Sequence, residues 1–164
     1  MRFVLIFLLS INLFAGEYFV SKVMDGDTIQ VRKGKKKTKV RLYGIDAPET
    51  SQNFGAYCTR VLSSKIIGKK VDLKIKGKDK YKRTIAIVYL DEVDINRYVV
   101  QQGCAWAYSY YTNMYKSDEL KARQELKGLW IDKNAQNPYE WRKKHKNRRS
   151  ESEELKKLFQ WLIA

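Results

Sequence analysis

Four short stretches of this chain read as β-strands, and their order and spacing constrain the fold more than any other feature. DTIQV places Asp27 on one face with Ile29 and Val31, and KVDLKIK does the same for Val71, Leu73 and Ile75. TKVRLYGI follows the first of these, and YKRTIAIVYL the second, with Tyr81, Arg83, Ile85 and Ile87 on one side. Successive side chains of a strand point to opposite faces, so period two predicts strands with one face covered. The lysine-rich RKGKKKTK separates the first pair, and its Gly34 suits a hairpin reversal. Helical spacing takes over in SQNFGAYCTRVLSSKIIG, where Tyr57, Val61, Leu62 and Lys65 recur on one side and Gly68 marks the stop. VDINRYVVQQG predicts a short helix ending at Gly103, and KSDELKARQELKGLW an amphipathic one carrying Leu120, Arg123 and Lys127. About five strands, a helix after the third and two more behind predict an α+β, mainly β fold. The expected architecture is a five-stranded OB-type barrel with three packing helices, spanning residues 17–133.

The ends differ from this middle. Residues 1–16 hold Arg2 and an apolar run from Phe3 to Ala15, too short to span a bilayer comfortably. They read as a signal peptide or N-terminal anchor, which predicts export to a periplasmic or secreted location. Outside the cytoplasm Cys58 and Cys104, an even number, are expected to form a disulfide. Residues 134–164 form a basic C-terminal extension. In it, SEELKKLFQWLIA sets Leu155, Leu158, Phe159 and Leu162 on one stripe, to pack on the domain, lie on a membrane or meet a partner.

Charge narrows the partner and the inventory narrows the chemistry. Lys and Arg total 33 against 18 Asp and Glu, a net +15 on 164 residues, which favours nucleic acid or an anionic membrane surface. The single histidine, His145, lies in a basic tail, which argues against a Ser-His-Asp triad and a multi-histidine metal site, and two cysteines alone cannot make a structural zinc site. Carboxylates, arginines and tyrosines are left to do any chemistry. Trp106, Trp130 and Met24 read as core.

VRLYGIDAPET concentrates those residue types around one strand end. Cleaving a phosphodiester needs cations for the phosphate oxygens and a base beside the attacking water. Arginine supplies a fork of paired donors, and a hard cation held by carboxylates does the same and organises water. Arg41 could grip phosphate, Asp46 hold a metal and Glu49 act as base; or Arg41 and Asp46 form a surface ion pair. Five residues apart, these two fall on opposite faces of a strict strand unless Gly44 inserts a bulge or bend. VMDGDTIQV places the Asp27 carboxylate on an apolar face, or is a plain turn at DGD. DKYKRTIA places Arg83 on another apolar face, or leaves it snorkelling at a barrel rim.

Taken in order, DGDT, RLYGIDAPET, DKYKRTIA, QGCAWAY and KGLW resemble the staphylococcal nuclease (thermonuclease) family over roughly Tyr18 to Trp130, with EWRK at 140–143 as a familiar extension. That resemblance implies an OB-type barrel and calcium-dependent hydrolysis of DNA and RNA, leaving 3′-phosphates. It implies Asp27, Asp46 and the backbone carbonyl of Ala47 as calcium ligands, with Asp25 behind them. Glu49 would be the base, Arg41 and Arg83 the phosphate clamp, and Lys80, Tyr81, Tyr108 and Tyr110 the nucleotide pocket. Ala47 stands where the best-known members carry threonine, and Lys82 where glycine is common. The lysine-rich stretches with interleaved tyrosines suit single-stranded or frayed nucleic acid, bound by a monomer. A non-catalytic OB module that binds nucleic acid, and a membrane-surface protein, are the competing readings.

Overall fold

The computed structural model of the chain describes residues 17–163. The expected signal segment, residues 1–16, lies outside the described residues. Five long strands make the barrel: β1 (Tyr18–Val23), β2 (Thr28–Lys33), β3 (Lys36–Leu42), β5 (Lys70–Lys78) and β6 (Thr84–Leu90). They run in the order β3-β2-β1-β5-β6, each neighbour antiparallel. A short parallel seam closes the barrel, pairing Val40 with Thr84, Arg41 with Ile85 and Leu42 with Ala86. Closure satisfies the backbone groups that an open sheet would leave along its edges. Three two-residue strands lie outside it: β4 (Ile45–Asp46) pairs with β8 (Trp106–Ala107), and β7 (Val93–Asp94) with β6.

Helices α1 (Gly55–Ile66), α2 (Ile95–Gln101) and α3 (Lys116–Gln124) pack around the barrel, as expected. Val20, Ile29, Val31, Val40, Leu42, Leu62 and Val71 fill its interior at 0–1% exposure, each contributing roughly 1.5–3 kcal/mol by leaving water. Several covered faces differ from those the spacing predicts. Helix α1 buries Gly55, Cys58, Leu62 and Ile66, while Tyr57 is exposed, so its inner face is rotated by one position. In β6 the core face is Ala86, Val88 and Leu90, which leaves Arg83 and Ile85 on the other side, over a groove. Ile75 is exposed beyond the core, where an irregularity between Ile75 and Gly77 shifts the β5–β6 register. Leu120 is likewise exposed, and α3 buries only Ala122. Trp106 and Trp130 are buried edge to face, 4.8 Å apart, in a second small core.

The extension is one long helix, α4 (Pro138–Ile163). Asn137 starts it by accepting the Tyr139 N–H, with Pro138 at the first helical position, where a missing N–H costs nothing. Leu155 and Phe159, expected on a stripe packed first against the domain, are exposed. No helix among the described residues is long and apolar enough to cross a membrane.

Candidate active site

Arg41 sits at the end of β3, opposite Thr28 of β2 and Ile85 of β6, so two strand pairings fix its backbone. The chain then turns at Tyr43 and Gly44 and re-enters as β4. Gly44 has φ 74, and a Cβ there would stand 2.5 Å from Thr112 Cγ2, so the turn demands glycine sterically as well as conformationally. The buried Asn96 of α2 pins the turn from behind, donating to the Tyr43 and Ala86 carbonyls and accepting the Val88 N–H. This reversal resolves the facing problem in the sequence: Arg41 Nη2 reaches Asp46 Oδ1 at 2.6 Å and the Ile45 carbonyl at 3.3 Å.

Asp27 meets the same guanidinium from the other side. Its Oδ1 pairs with Arg41 Nη1 and accepts the Thr28 hydroxyl at 3.0 Å; its Oδ2 accepts the Ala47 N–H at 2.6 Å. Asp25 stands behind, accepting the Asp27 N–H at 3.0 Å. The Asp27 and Asp46 side chains are only 4% and 3% exposed, a placement tolerated because guanidinium groups, with a hydroxyl and a backbone N–H on Asp27, satisfy their oxygens. Burial lowers the pKa of Arg41 against the pull of Asp46, yet an arginine there stays charged. Burial raises the Asp25 carboxyl against the pull of Arg41.

Glu49 lies past Pro48 in a turn whose carbonyl accepts the Gln52 N–H at 2.8 Å. A Cβ on Gly55 would stand 1.8 Å from the Glu49 carbonyl oxygen, so the first residue of α1 must be glycine for this turn to close. The Glu49 carboxylate meets an arginine that the sequence reading leaves unassigned. Arg142 Nη1 donates to Glu49 Oε1 at 2.9 Å and Asp46 Oδ1 at 3.2 Å, and Nη2 donates to Asp46 Oδ2 at 2.8 Å. Burial works against the Arg142 charge, but Asp46 and Glu49 outweigh it and its pKa is raised. The Gln52 amide, donating to the Gln136 carbonyl at 2.6 Å, ties the Glu49 turn to the segment leading into α4.

Arg83 approaches from β6. Asp79 holds it, accepting from Nε at 2.6 Å and from its backbone N–H at 3.0 Å, while Nη1 lies 3.5 Å from the Thr28 hydroxyl that also bonds Asp27. Lys82 adopts φ 62, the left-handed conformation for which glycine is the natural residue. Arg41, Asp46, Arg83 and Arg142 all face a groove of about 560 Å³. Lys80, Tyr81 and Tyr108 line it as expected. Tyr111 lines it in place of Tyr110, which is 83% exposed and touches the Tyr108 and Tyr111 rings from outside. Burial and Asp46 both raise the Tyr108 hydroxyl pKa.

In chemical type the donors suit a hard cation, with two buried carboxylates, the Ile45 carbonyl oxygen beside them and no histidine or cysteine in the cluster; Arg41 and Arg142 hold those carboxylates here. Among the described residues no three His, Cys, Asp or Glu side chains group closely enough to cage a metal. Carbonyl and water oxygens would therefore complete the coordination of a cation on Asp27 and Asp46. Cys58 and Cys104, the expected disulfide pair, are free and buried, and the neighbouring Cys104 thiol together with burial raises the Cys58 thiol pKa.

The missed residues carry weak signals. Asp79 lies four residues before Arg83 in DKYKR, and Arg142 sits inside EWRK, but nothing in a basic tail distinguishes one arginine from its neighbours.

Comparison with known proteins gives this geometry a context. Residues 39–132 match the family described as staphylococcal nuclease homologue. An uncharacterized endonuclease of Haemophilus influenzae is 45% identical over 130 residues, covering 77% of this chain and 73% of its own. A micrococcal nuclease of Shigella flexneri is 39% identical over 148 residues, covering 82% and 83%. An uncharacterized endonuclease of Escherichia coli O157:H7 is 36% identical over 126 residues, covering 75% and 82%.

Proposed function

The chain belongs to the staphylococcal nuclease family and is a phosphodiester hydrolase, and on that premise we propose that it is an exported, calcium-dependent nuclease cutting DNA and RNA with little sequence preference. One observation carries the reading: Asp27, Arg41, Asp46, Arg142 and Glu49 form one chain of ion pairs, and Arg41, Asp46 and Arg142 of it line the same groove as Arg83. Arg41 and Arg83 bind the phosphate oxygens and neutralise the charge that grows on them as phosphorus gains a fifth oxygen. Glu49, one-third exposed and oriented by Arg142, takes the proton of the attacking water. The phosphorus–oxygen bond to the leaving 5′ oxygen breaks, that oxygen is protonated, and a 3′-phosphate remains. Calcium on Asp27, Asp46 and the Ala47 carbonyl would add positive charge at the phosphate and organise water. Tyr81, Tyr108 and Tyr111 offer ring faces to a nucleotide beside that phosphate.

A second groove of about 520 Å³ shares Tyr81 and Arg83 with the first and runs along Lys36, Lys37 and Lys39 of β3. Such a track suits a flexible polyanion, which favours single-stranded or frayed substrate. The long basic helix α4 leaves membrane contact as an additional role at the surface.

Cleavage of single-stranded DNA by protein from residue 17 onward, with calcium and then with excess chelator, tests the proposal. Activity should vanish in chelator and fall about 100-fold or more in Glu49→Gln at unchanged fold. Tight DNA binding with no cleavage under any divalent ion would overturn it in favour of a binding module.

A further inference from the structure

Helix α4 brings more than Arg142 to the site. Between its first turns and the Glu49–Ser51 turn lies a groove of about 530 Å³, lined by Glu49, Thr50, Ser51, Trp141, Arg142 and His145. Arg142 lines this groove and the tyrosine groove alike, so the two meet at one guanidinium beside Glu49. Trp141 and His145, one helical turn apart, stack with ring centroids 3.7 Å apart and planes 22° from parallel. A hydrogen bond between His145 Nδ1 and the Trp141 carbonyl at 2.9 Å fixes the imidazole in that position. His145 is exposed and Trp141 half-buried, and the exposed Lys143, Lys144 and Lys146 are their neighbours in sequence on the same helix.

Every internal phosphodiester joins two nucleotides. The tyrosine groove takes one of them, and the other must leave the cleaved phosphate past Glu49 and Arg142. The α4 groove adjoins there, and its preformed aromatic pair and the Arg142 guanidinium match a base and its backbone phosphate. We propose that this groove is a second nucleotide subsite, in which the base on the side of the cleaved phosphate opposite the tyrosine groove stacks on the Trp141–His145 pair. The subsite rests on the nuclease reading above. Because every base has a ring face, it raises affinity without adding sequence preference.

The test uses a short single-stranded oligonucleotide with one cleavable linkage, the others blocked as methylphosphonates. The base on each side of that linkage is removed in turn. Each removal should raise KM for the wild-type chain about 5- to 100-fold, the range expected for one lost stacking contact, with kcat changing less. In His145→Ala and in Trp141→Leu, one of the two penalties should shrink to within about twofold, while the other persists and reports an intact tyrosine groove. His145 is exposed and makes its ring stacking and hydrogen bond within its own helix, so the first variant disturbs the fold less than the second. Two undiminished penalties in His145→Ala, or only one penalty in the wild-type chain, would overturn the subsite while leaving the nuclease standing. A wild-type chain that cuts neither intact nor abasic oligonucleotide would overturn the nuclease reading and the subsite with it.

Discussion

Arg142→Ala separates a residue that tunes the proposed calcium site from one that merely braces the fold. The guanidinium makes three charged hydrogen bonds, two to Asp46 and one to Glu49. Breaking a fully buried pair by removing one partner costs about 3–5 kcal/mol. Here the cost must be discounted, because the Arg142 side chain is 39% exposed, Glu49 is 36% exposed, and Asp46 keeps Arg41. About 1–2 kcal/mol remains, which lowers the melting midpoint by about 2–8 °C for a chain of this size in chelator. The same change frees Asp46 Oδ2 from a competing cation and leaves Oδ1 to Arg41 alone. If that 1–2 kcal/mol is returned to an incoming calcium ion, affinity without nucleic acid rises about 5- to 30-fold. Thermal melts in chelator and calorimetric calcium titration read the two effects, and Arg142→Lys should lie between, keeping the charge but losing the fork. A lower midpoint with unchanged or weaker calcium binding would refute the reasoning and leave Arg142 a brace.

Other perturbations follow from the same geometry. Gly55→Ala, which drives a Cβ into the Glu49 carbonyl oxygen, should cost more than about 2 kcal/mol in denaturant unfolding and lower kcat as the Glu49 turn shifts. Cys58 and Cys104 in protein made in a reducing cytoplasm should resist thiol reagents at pH 8 while folded, since burial and mutual bonding hold the Cys58 thiol neutral; two thiols should titrate on unfolding. The Asp79 carboxyl is pushed up by burial, but hydrogen bonds from Arg83 and Tyr81 outweigh this and hold it below its ordinary value. A depressed carboxyl stabilises the fold above the ordinary aspartate pKa and loses that contribution as pH falls further. Asp79→Asn should therefore flatten the stability–pH curve below about pH 4, read by denaturant midpoints.

The barrel was legible because period two survives in short strands, and the clustering of Arg41, Asp46 and Glu49 because they lie within one turn of chain. The covered faces of α1 and α3 were harder to read. Tyr57 and Leu120 are apolar enough to suggest an inward face, but the small Gly55 and Cys58 take it in α1, and Ala122 takes it in α3, against Trp106 and Trp130. In β6 both faces are largely apolar, so alternation could not say that Ile85 faces a groove rather than the core. Tyr108 to Tyr111 are consecutive aromatic and small polar residues in a turn, where no period assigns a direction. Arg142 lies 93 residues from Glu49, and only the tertiary path from Gln136 to α4 brings them together.

The parallel seam of β3 and β6 has a consequence for when the protein can act. Arg41 lies within that seam and Arg83 one residue before it, on strands more than forty positions apart in the chain. No local segment holds both arginines, so an emerging or partly folded chain carries every residue of the proposed site without the proposed clamp. Activity switches on only with closure of the barrel, a long-range event that short-range structure cannot anticipate. A cell making such a nuclease would meet it first in a harmless form.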